Sequence, residues 1–209
     1  HYNIYESFPN KGDVGMSIIQ SFYDNVASQY HKLFLDWQAT TQEQAVILDK
    51  IFTDNGFDKS AHVLDCACGI GTQSIGLAAL GYRMTASDIS DAELAEAAKR
   101  AAENKVSIRF EHADFCALSH TFSETFDIII CMDNALPHML SHTALEAAIK
   151  SITGRIKDGG IFVASIRDYD ALLMDKPPYS PPYIHRTDKG QRVSFQTWKW
   201  NGDCYKLIQ

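Results

Sequence analysis

A glycine-containing segment at residues 65–71 (Asp-Cys-Ala-Cys-Gly-Ile-Gly) and a second acidic residue, Asp88, are the parts of this chain whose chemistry is most readily interpreted. The segment follows a short apolar run and precedes an amphipathic one, which is the pattern of a strand, a tight turn and a helix. Glycines at positions 69 and 71 let the backbone approach a ligand closely. Because an acidic side chain after the next strand can accept both hydroxyls of a ribose, the pattern predicts a nucleoside-binding βαβ unit.

The residues around the glycines indicate which nucleoside is bound. A dinucleotide site needs a third glycine where this chain has Ser74, and the charge of Asp65 would repel a pyrophosphate. The same charge would attract an ammonium or sulfonium group. The order Asp-x-Ala-x-Gly-x-Gly, with Ala67 where glycine is usual, resembles the first motif of class I S-adenosylmethionine-dependent methyltransferases. A nicotinamide-dependent oxidoreductase is therefore disfavoured.

Composition restricts the remaining classes. The chain has 209 residues, 45% of them hydrophobic and 22% charged, which suits one domain with one core. Its net charge is -7 and its basic residues are scattered, so we expect no nucleic-acid partner. No run of residues is long and apolar enough to predict a membrane span or a signal peptide. The five cysteines and eight histidines lack metal-ligand spacing, which predicts no metal site and a reduced, cytoplasmic protein.

The elements that must position these residues alternate between strands and helices. Such alternation predicts an α/β fold with a doubly wound, mostly parallel, Rossmann-like sheet. Helical periodicity is present in residues 17–35, 40–57, 73–80, 91–104 and 143–156, and strands are predicted at 61–66, 83–87, 107–111, 126–132 and 160–166. Ser90 and Glu93 form a capping-box pattern at the start of the fourth helix.

Ligands of such sheets lie beyond the carboxyl ends of the strands, so each site residue should follow a strand. Asp88 and Ile89 follow the second strand, and Asp114 and Phe115, which suit an adenine, follow the third. Residues 132–138 (Met-Asp-Asn-Ala-Leu-Pro-His) follow the fourth, and residues 167–169 (Arg-Asp-Tyr) follow the fifth. The alternative for Asp114 and His138 is an ordinary loop residue, and for Arg167 an ion pair with a neighbouring aspartate.

The resemblance to methyltransferases can be narrowed to one group when these segments are combined with Tyr23, Tyr30 and Trp37. Together they resemble the glycine and sarcosine N-methyltransferases. The resemblance implies that these three aromatic residues close over the cofactor, that Asp88 binds the ribose, and that Asn134 and Arg167 hold a substrate carboxylate. The residues predicted to bind the cofactor are Tyr23, Tyr30, Trp37, Asp65, Ala67, Gly69, Gly71, Asp88, Ile89, Asp114, Phe115, Met132 and Asp133. Those predicted to act on the acceptor are Tyr30, Asn134, His138, Arg167 and Tyr169.

The predicted reaction transfers a methyl group from S-adenosylmethionine to a small-molecule acceptor and leaves S-adenosylhomocysteine. Alternatives are an O-methyltransferase, another N-methyltransferase, and a binding protein without catalysis. Because the sulfonium is already activated, the protein would act mainly by aligning the reactants and excluding water. The sequence leaves open whether the chain self-associates.

The domain prediction is a single methyltransferase domain over 1–209, with a helical lid at 17–57, a cofactor-binding core at 61–170, and a substrate loop and hairpin at 171–209. The proline-rich stretch at 177–182 predicts a loop, and an Asn-Gly turn at 201–202 predicts an antiparallel hairpin at 193–209. In the family a helix follows the fifth strand. None is recognised here, so we expect the hairpin to be an accessory layer and the family's C-terminal strands to be missing from this chain.

Overall fold

The computed structural model describes residues 14–187 and 190–208 of the chain. Its strands are β1 (His62–Asp65), β2 (Arg83–Asp88), β3 (Ile108–His112), β4 (Phe126–Cys131), β5 (Ile156–Ala164), β6 (Tyr183–Thr187), β7 (Gly190–Ser194), β8 (Thr197–Asn201) and β9 (Cys204–Ile208). Its helices are α1 (Val14–Tyr30), α2 (Trp37–Asp54), α3 (Thr72–Ala79), α4 (Asp91–Glu103), α5 (His142–Thr153) and α6 (Tyr169–Asp175). The chain divides into two compact units, residues 27–167 and the described parts of 1–26 and 168–209.

The unit of residues 27–167 contains a parallel five-stranded sheet in the order β3-β2-β1-β4-β5. Successive residues of a strand point to opposite faces, so the central strands must be apolar on both. Val63 packs against Leu48 and Phe52 of α2 on one face. Leu64 packs against Phe122 and residues of α5 on the other. The predicted doubly wound parallel fold is confirmed, and its strand ends meet along one edge.

Most predicted elements are found within a few residues of their predicted bounds. Helix α2 begins at Trp37, three residues before the predicted start, because Asp36 caps it by accepting a hydrogen bond from the Ala39 amide at 3.0 Å. At α4, the Ser90 hydroxyl accepts from the Glu93 amide at 3.1 Å, as the capping pattern predicts. Helix α5 ends at Thr153, so the prediction that it continues to Ile156 is wrong.

Strand β5 begins at Ile156, four residues before its predicted start. The pairing register with β4 shifts between Phe126 and Ile128, and the extra residues of β5 form a bulge. Gly159 has φ +78° in this bulge, and a Cβ on Gly160 would lie 2.7 Å from the Asp127 carbonyl oxygen. The two glycines indicate a turn in the sequence, but they lie inside the strand.

The second unit contains two antiparallel pairs, β6 with β7 and β8 with β9. The sequence predicts the β8–β9 hairpin but not strand β6. Residues 193–200, predicted as one strand of that hairpin, belong to two strands, β7 and β8. The seven-residue helix α6 corrects the expectation that no helix follows the fifth strand. Asp168 caps it by accepting from the Ala171 amide at 3.0 Å. The single-domain organisation and the lid and loop roles remain predictions.

In the described part of the chain, no helix is long and apolar enough to cross a membrane. The same residues contain no cluster of histidine, cysteine and carboxylate side chains suited to a metal ion. Cys66, Cys68, Cys116 and Cys131 are free thiols, three of them buried. A hydrogen bond with Cys131, together with burial, raises the pKa of the Cys66 thiol well above the usual value, and burial does the same for Cys68.

Candidate functional site

The glycine turn joins β1 to α3. Gly69 and Gly71 have φ angles of +50° and +86°, in the left-handed region where other residues are strained. The Gly71 amide donates to the Cys68 carbonyl oxygen at 2.8 Å, which closes the turn directly before α3. A Cβ on Gly69 would lie 3.0 Å from Oε2 of Glu93, so the turn also packs closely against α4. Backbone amides at the start of α3 are thereby presented beyond the strand end.

Asp88, the last residue of β2, is fixed by backbone amides on both carboxylate oxygens. Gly69 N–H donates to Oδ2 at 2.9 Å and Ser90 N–H donates to Oδ1 at 3.0 Å. Burial raises the pKa of Asp88, and hydrogen bonding by the backbone amides of Gly69, Ser90 and Ile89 opposes that increase. A carboxylate has about four lone-pair sites, so the group can also accept hydrogen bonds from the hydroxyl groups of a ligand.

Asp65, the last residue of β1, is fully buried. The Ser74 hydroxyl donates to its Oδ2 at 2.7 Å, whereas Oδ1 has no hydrogen-bond partner among the described residues. Burial raises the pKa of Asp65 to about 7 against the hydrogen bonds from the Ser74 hydroxyl and the Ala67 amide, and the negative charges of Asp88 and Asp133 add to the increase. A buried carboxylate with one open oxygen is costly unless a cation meets it, so this position suits an ammonium group.

The loop after β4 holds two successive residues in left-handed conformation, Asp133 at φ +52° and Asn134 at φ +71°. Ser165 holds both of them: its Oγ accepts from the Asp133 amide at 2.8 Å, and its carbonyl oxygen accepts from the Asn134 amide at 3.2 Å. Gln73 of α3 donates to Asp133 Oδ2 at 2.8 Å. Such backbone strain is typical of functional loops.

Asn134 connects this loop to the end of β5. Its Oδ1 accepts a hydrogen bond from the Arg167 amide at 3.2 Å. The two residues predicted to hold a substrate carboxylate are therefore adjacent, and both are half-buried. His138 lies further along the same loop, at the end of a 3-10 turn over Leu136–His138.

The residues predicted for the adenine lie after β3. Asp114 accepts from the Cys116 amide at 2.8 Å and caps the 3-10 turn Phe115–His120. The Phe115 ring is buried in the core beside Leu64, so its backbone is the part that can face a base. Among the remaining cofactor candidates, Ala67, Ile89 and Met132 are half-buried.

Trp37 and Tyr30 belong to a hydrophobic cluster that includes Ile70 and Ile75. The Trp37 ring is 8% exposed, and its indole N–H donates to Thr72 Oγ1 at 3.0 Å. This hydrogen bond ties the start of α2 to the start of α3. Tyr23 in α1 and Tyr169 in α6 belong to the other unit, and their roles remain predictions.

Sequence reasoning did not identify three residues that position the site: Gln73, Ser74 and Ser165. In the sequence, Ser74 is informative only as the residue that stands where a dinucleotide site has its third glycine. In the structure, its hydroxyl donates a hydrogen bond that orients Asp65. Gln73 is also buried, and a buried glutamine in the first turn of a helix must find polar partners. Ser165 follows β5 directly, so its position after a strand was a signal that could have identified it.

The matching family model is described as a methyltransferase domain and covers residues 63–160. The glycine/sarcosine N-methyltransferase of Parasynechococcus marenigrum is 27% identical over 74% of this chain and 53% of its own length. The glycine N-methyltransferase of Rattus norvegicus is 28% identical over 78% of this chain and 58% of its own length. The chain thus spans about half the length of the curated relatives it matches.

The fold agrees with solved structures. An S-adenosylmethionine-bound amino pentose methyltransferase from Micromonospora echinaspora superposes with a TM-score of 0.66 at 17% identity, covering 78% of this chain and 65% of the other. This likeness confirms the predicted fold, and the match of residues 63–160 to the methyltransferase model supports the predicted class I family, whose solved structures include S-adenosylmethionine-bound members.

Proposed function

Since the chain carries a class I S-adenosylmethionine-dependent methyltransferase domain, we propose that it methylates a small-molecule acceptor, the amine of a glycine-like or sarcosine-like substrate. S-adenosylmethionine supplies an activated methyl group on a sulfonium and leaves as S-adenosylhomocysteine. The nitrogen lone pair of the acceptor forms the new bond to carbon as the carbon–sulfur bond breaks, and the nitrogen then releases a proton to solvent.

The chain's residues fit this cofactor at its polar positions. Asp88 is fixed so that it can accept both ribose hydroxyls. The open, fully buried Oδ1 of Asp65 suits the ammonium of the amino-acid tail. Asp114 and the backbone of Phe115 are our candidates for the adenine. These assignments place each ligand group after a different strand of one parallel sheet.

The hydrogen bond between Arg167 and Asn134 is the observation that carries the acceptor assignment. The bond joins the Arg167 backbone amide to Asn134 Oδ1, so it holds these two residues together beyond the ends of the neighbouring strands β4 and β5. A guanidinium binds a carboxylate through two parallel hydrogen bonds and stays charged at any physiological pH. We therefore assign Arg167 to the substrate carboxylate and Asn134 to positioning it.

The same arrangement explains how rate acceleration would arise. Methyl transfer needs the nitrogen, the methyl carbon and sulfur in one line, and holding reactants in such geometry accounts for several kcal/mol of the barrier. Anchoring a carboxylate at Arg167 fixes one end of the acceptor. His138 and Tyr30 are candidates for orienting the amine, because each side chain carries a polar group that can form a hydrogen bond with it.

The experiment that tests this function is methyl transfer from isotope-labelled S-adenosylmethionine, followed by mass spectrometry. The acceptors are glycine, sarcosine, ethanolamine, a phenol and a thiol of similar size. We expect labelled methyl groups on the amines of glycine or sarcosine, with stoichiometric S-adenosylhomocysteine. Efficient methylation of the phenol or thiol, with none of the amino acids, would overturn the acceptor assignment. Cofactor binding without transfer to any acceptor would favour a binding protein.

A further inference from the structure

Three carboxylates lie at the carboxyl ends of β1, β2 and β4: Asp65, Asp88 and Asp133. They are close enough for the charges of two of them to act on the third. The charges of Asp88 and Asp133 both raise the pKa of Asp65. In the ion pairs formed by the described residues, no lysine or arginine is joined to any of the three. The charge of His112 lowers the pKa of Asp88, so the surrounding protein offsets only part of the negative charge at this edge of the sheet.

Asp133 is the unexpected member of this group. Its φ of +52° is one that glycine adopts without strain, whereas aspartate pays an energetic cost there. The buried Gln73 nevertheless holds its Oδ2, donating at 2.8 Å, and Gln73 also hydrogen-bonds to Gln44 at 2.5 Å. Although the residue as a whole is exposed, the surrounding protein raises the pKa of its carboxyl through desolvation. A fixed carboxylate is thus maintained beyond the end of β4.

The unpaired oxygen of Asp65 indicates that the negative charge of this group is directed at a ligand. Oδ1 of Asp65 is buried, has no hydrogen-bond partner among the described residues, and belongs to a side chain with 0% exposure. Such an atom costs free energy unless a donor reaches it when the site is filled. When Asp65 is ionised, the ligand that satisfies this oxygen must be a hydrogen-bond donor, and the neighbouring negative charges favour a cationic one.

We propose that Asp133 is a specificity-determining residue that favours the positively charged methyl donor over the product left after transfer. The inference rests on the proposed function. S-adenosylmethionine has a sulfonium and an ammonium against one carboxylate, whereas S-adenosylhomocysteine has lost the sulfonium charge. A negative field at the strand ends therefore binds the donor more tightly than the product, and this difference assists product release.

Calorimetric titration with three ligands tests this inference without any measurement of activity. The ligands are S-adenosylmethionine, S-adenosylhomocysteine, and sinefungin, in which a protonated amine replaces the sulfonium. In Asp133→Asn, affinity for the two ligands with the extra positive charge should fall on the order of tenfold, while affinity for S-adenosylhomocysteine changes less than twofold. Asp133→Gly removes both the charge and the backbone strain, and it should show the same selectivity.

Asp54→Asn is the matched control, because it removes an exposed aspartate at the opposite end of α2 from Trp37. It should leave all three affinities unchanged. Equal losses for all three ligands in both Asp133 variants, or no loss at all, would overturn the inference while the proposed function stands. If the unaltered protein binds none of the three ligands, the proposed function itself is wrong and this inference falls with it.

Discussion

The side-chain oxygen of Asn134 accepts a hydrogen bond from the backbone amide of Arg167, with the two atoms 3.2 Å apart. This bond joins the loop after β4 to the residues that follow β5. Ser165 reinforces the same junction by accepting from the amides of Asp133 and Asn134. The position of the Arg167 backbone therefore depends on the conformation of the loop after β4. This dependence links Asn134 and Arg167, the two residues of the proposed acceptor site.

Replacing Asn134 with glycine tests this link. Glycine tolerates the φ of +71° and removes only the side chain, so the loop itself should keep its conformation. If Asn134 positions Arg167 for uniform substrate binding, the acceptor's KM should rise about tenfold with little change in kcat. Steady-state kinetics at saturating cofactor measures both values. An unchanged KM would show that the hydrogen bond does not serve the acceptor.

The ribose assignment predicts a loss of cofactor affinity in Asp88→Ala. Removing a charged acceptor of two hydroxyl groups should weaken S-adenosylmethionine binding by about 1.5–3 kcal/mol. Titration calorimetry of the folded variant gives the value directly, and Asp54→Asn again serves as the control. Affinity equal to that of the unaltered protein would exclude Asp88 as the ribose ligand.

The raised pKa of Asp65 predicts a pH dependence. Its pKa is about 7 in the folded protein and near 3.8 in the unfolded chain, because burial disfavours the charged form. Its contribution to the free energy of unfolding is thus fully present below pH 3.8 and is lost as pH rises through 7. If Asp65 binds the ammonium group of S-adenosylmethionine as proposed, the ionised form is the one required, so affinity for the cofactor should rise from pH 6 to pH 8.

Asp65→Asn separates these two effects. At pH 8 the ligand-free variant should be more stable than the unaltered protein by roughly 1–3 kcal/mol, because no buried charge remains. Its cofactor affinity should be much lower and nearly independent of pH. Thermal denaturation and calorimetry at pH 6, 7 and 8 measure both quantities. A variant that is no more stable at pH 8, yet keeps pH-dependent binding, would contradict this account of Asp65.

A substitution at Trp37 is expected to lower the stability of the protein with little effect on cofactor binding. Trp37→Phe keeps an aromatic ring in the cluster but removes the hydrogen bond to Thr72. We expect a loss of about 1 kcal/mol in the free energy of unfolding, with cofactor affinity within threefold of the original. Chemical denaturation and calorimetry report the two effects. A large loss of affinity with unchanged stability would instead support the direct cofactor contact that the family resemblance implies.

The sequence predicts which candidate site residues lie at strand ends, and parallel sheets place ligands beyond those ends. Asp65 and Asp88 each end a strand, and Asn134 follows one within three residues. The hydrogen-bond partners of these residues are harder to predict, since the contact between Ser74 and Asp65 depends on the orientation of α3 about its own axis. Periodicity indicates which face of a helix is buried, but it does not indicate which polar atom meets which.

Glycines account for another limit of prediction. In β5, Gly159 and Gly160 permit a bulge, while the same residue type at Gly69 and Gly71 forms the turn before α3. Local sequence does not separate the two uses, because both rest on the same conformational freedom. Only the pairing of β5 with β4 decides between them.

The central claim is that Arg167 binds the carboxylate of an amine acceptor, and one comparison of kinetics tests it most directly. The catalytic efficiency, kcat/KM, is measured with glycine and with ethanolamine, which lacks the carboxylate, for the unaltered protein, Arg167→Lys and the exposed control Arg109→Lys. Lysine keeps the charge but loses the two parallel hydrogen bonds, so we predict that Arg167→Lys lowers the efficiency with glycine about tenfold or more through KM. Ethanolamine should remain a poor acceptor, and Arg109→Lys should match the unaltered protein. Equal efficiencies with both acceptors, unaffected by Arg167→Lys, would contradict the account.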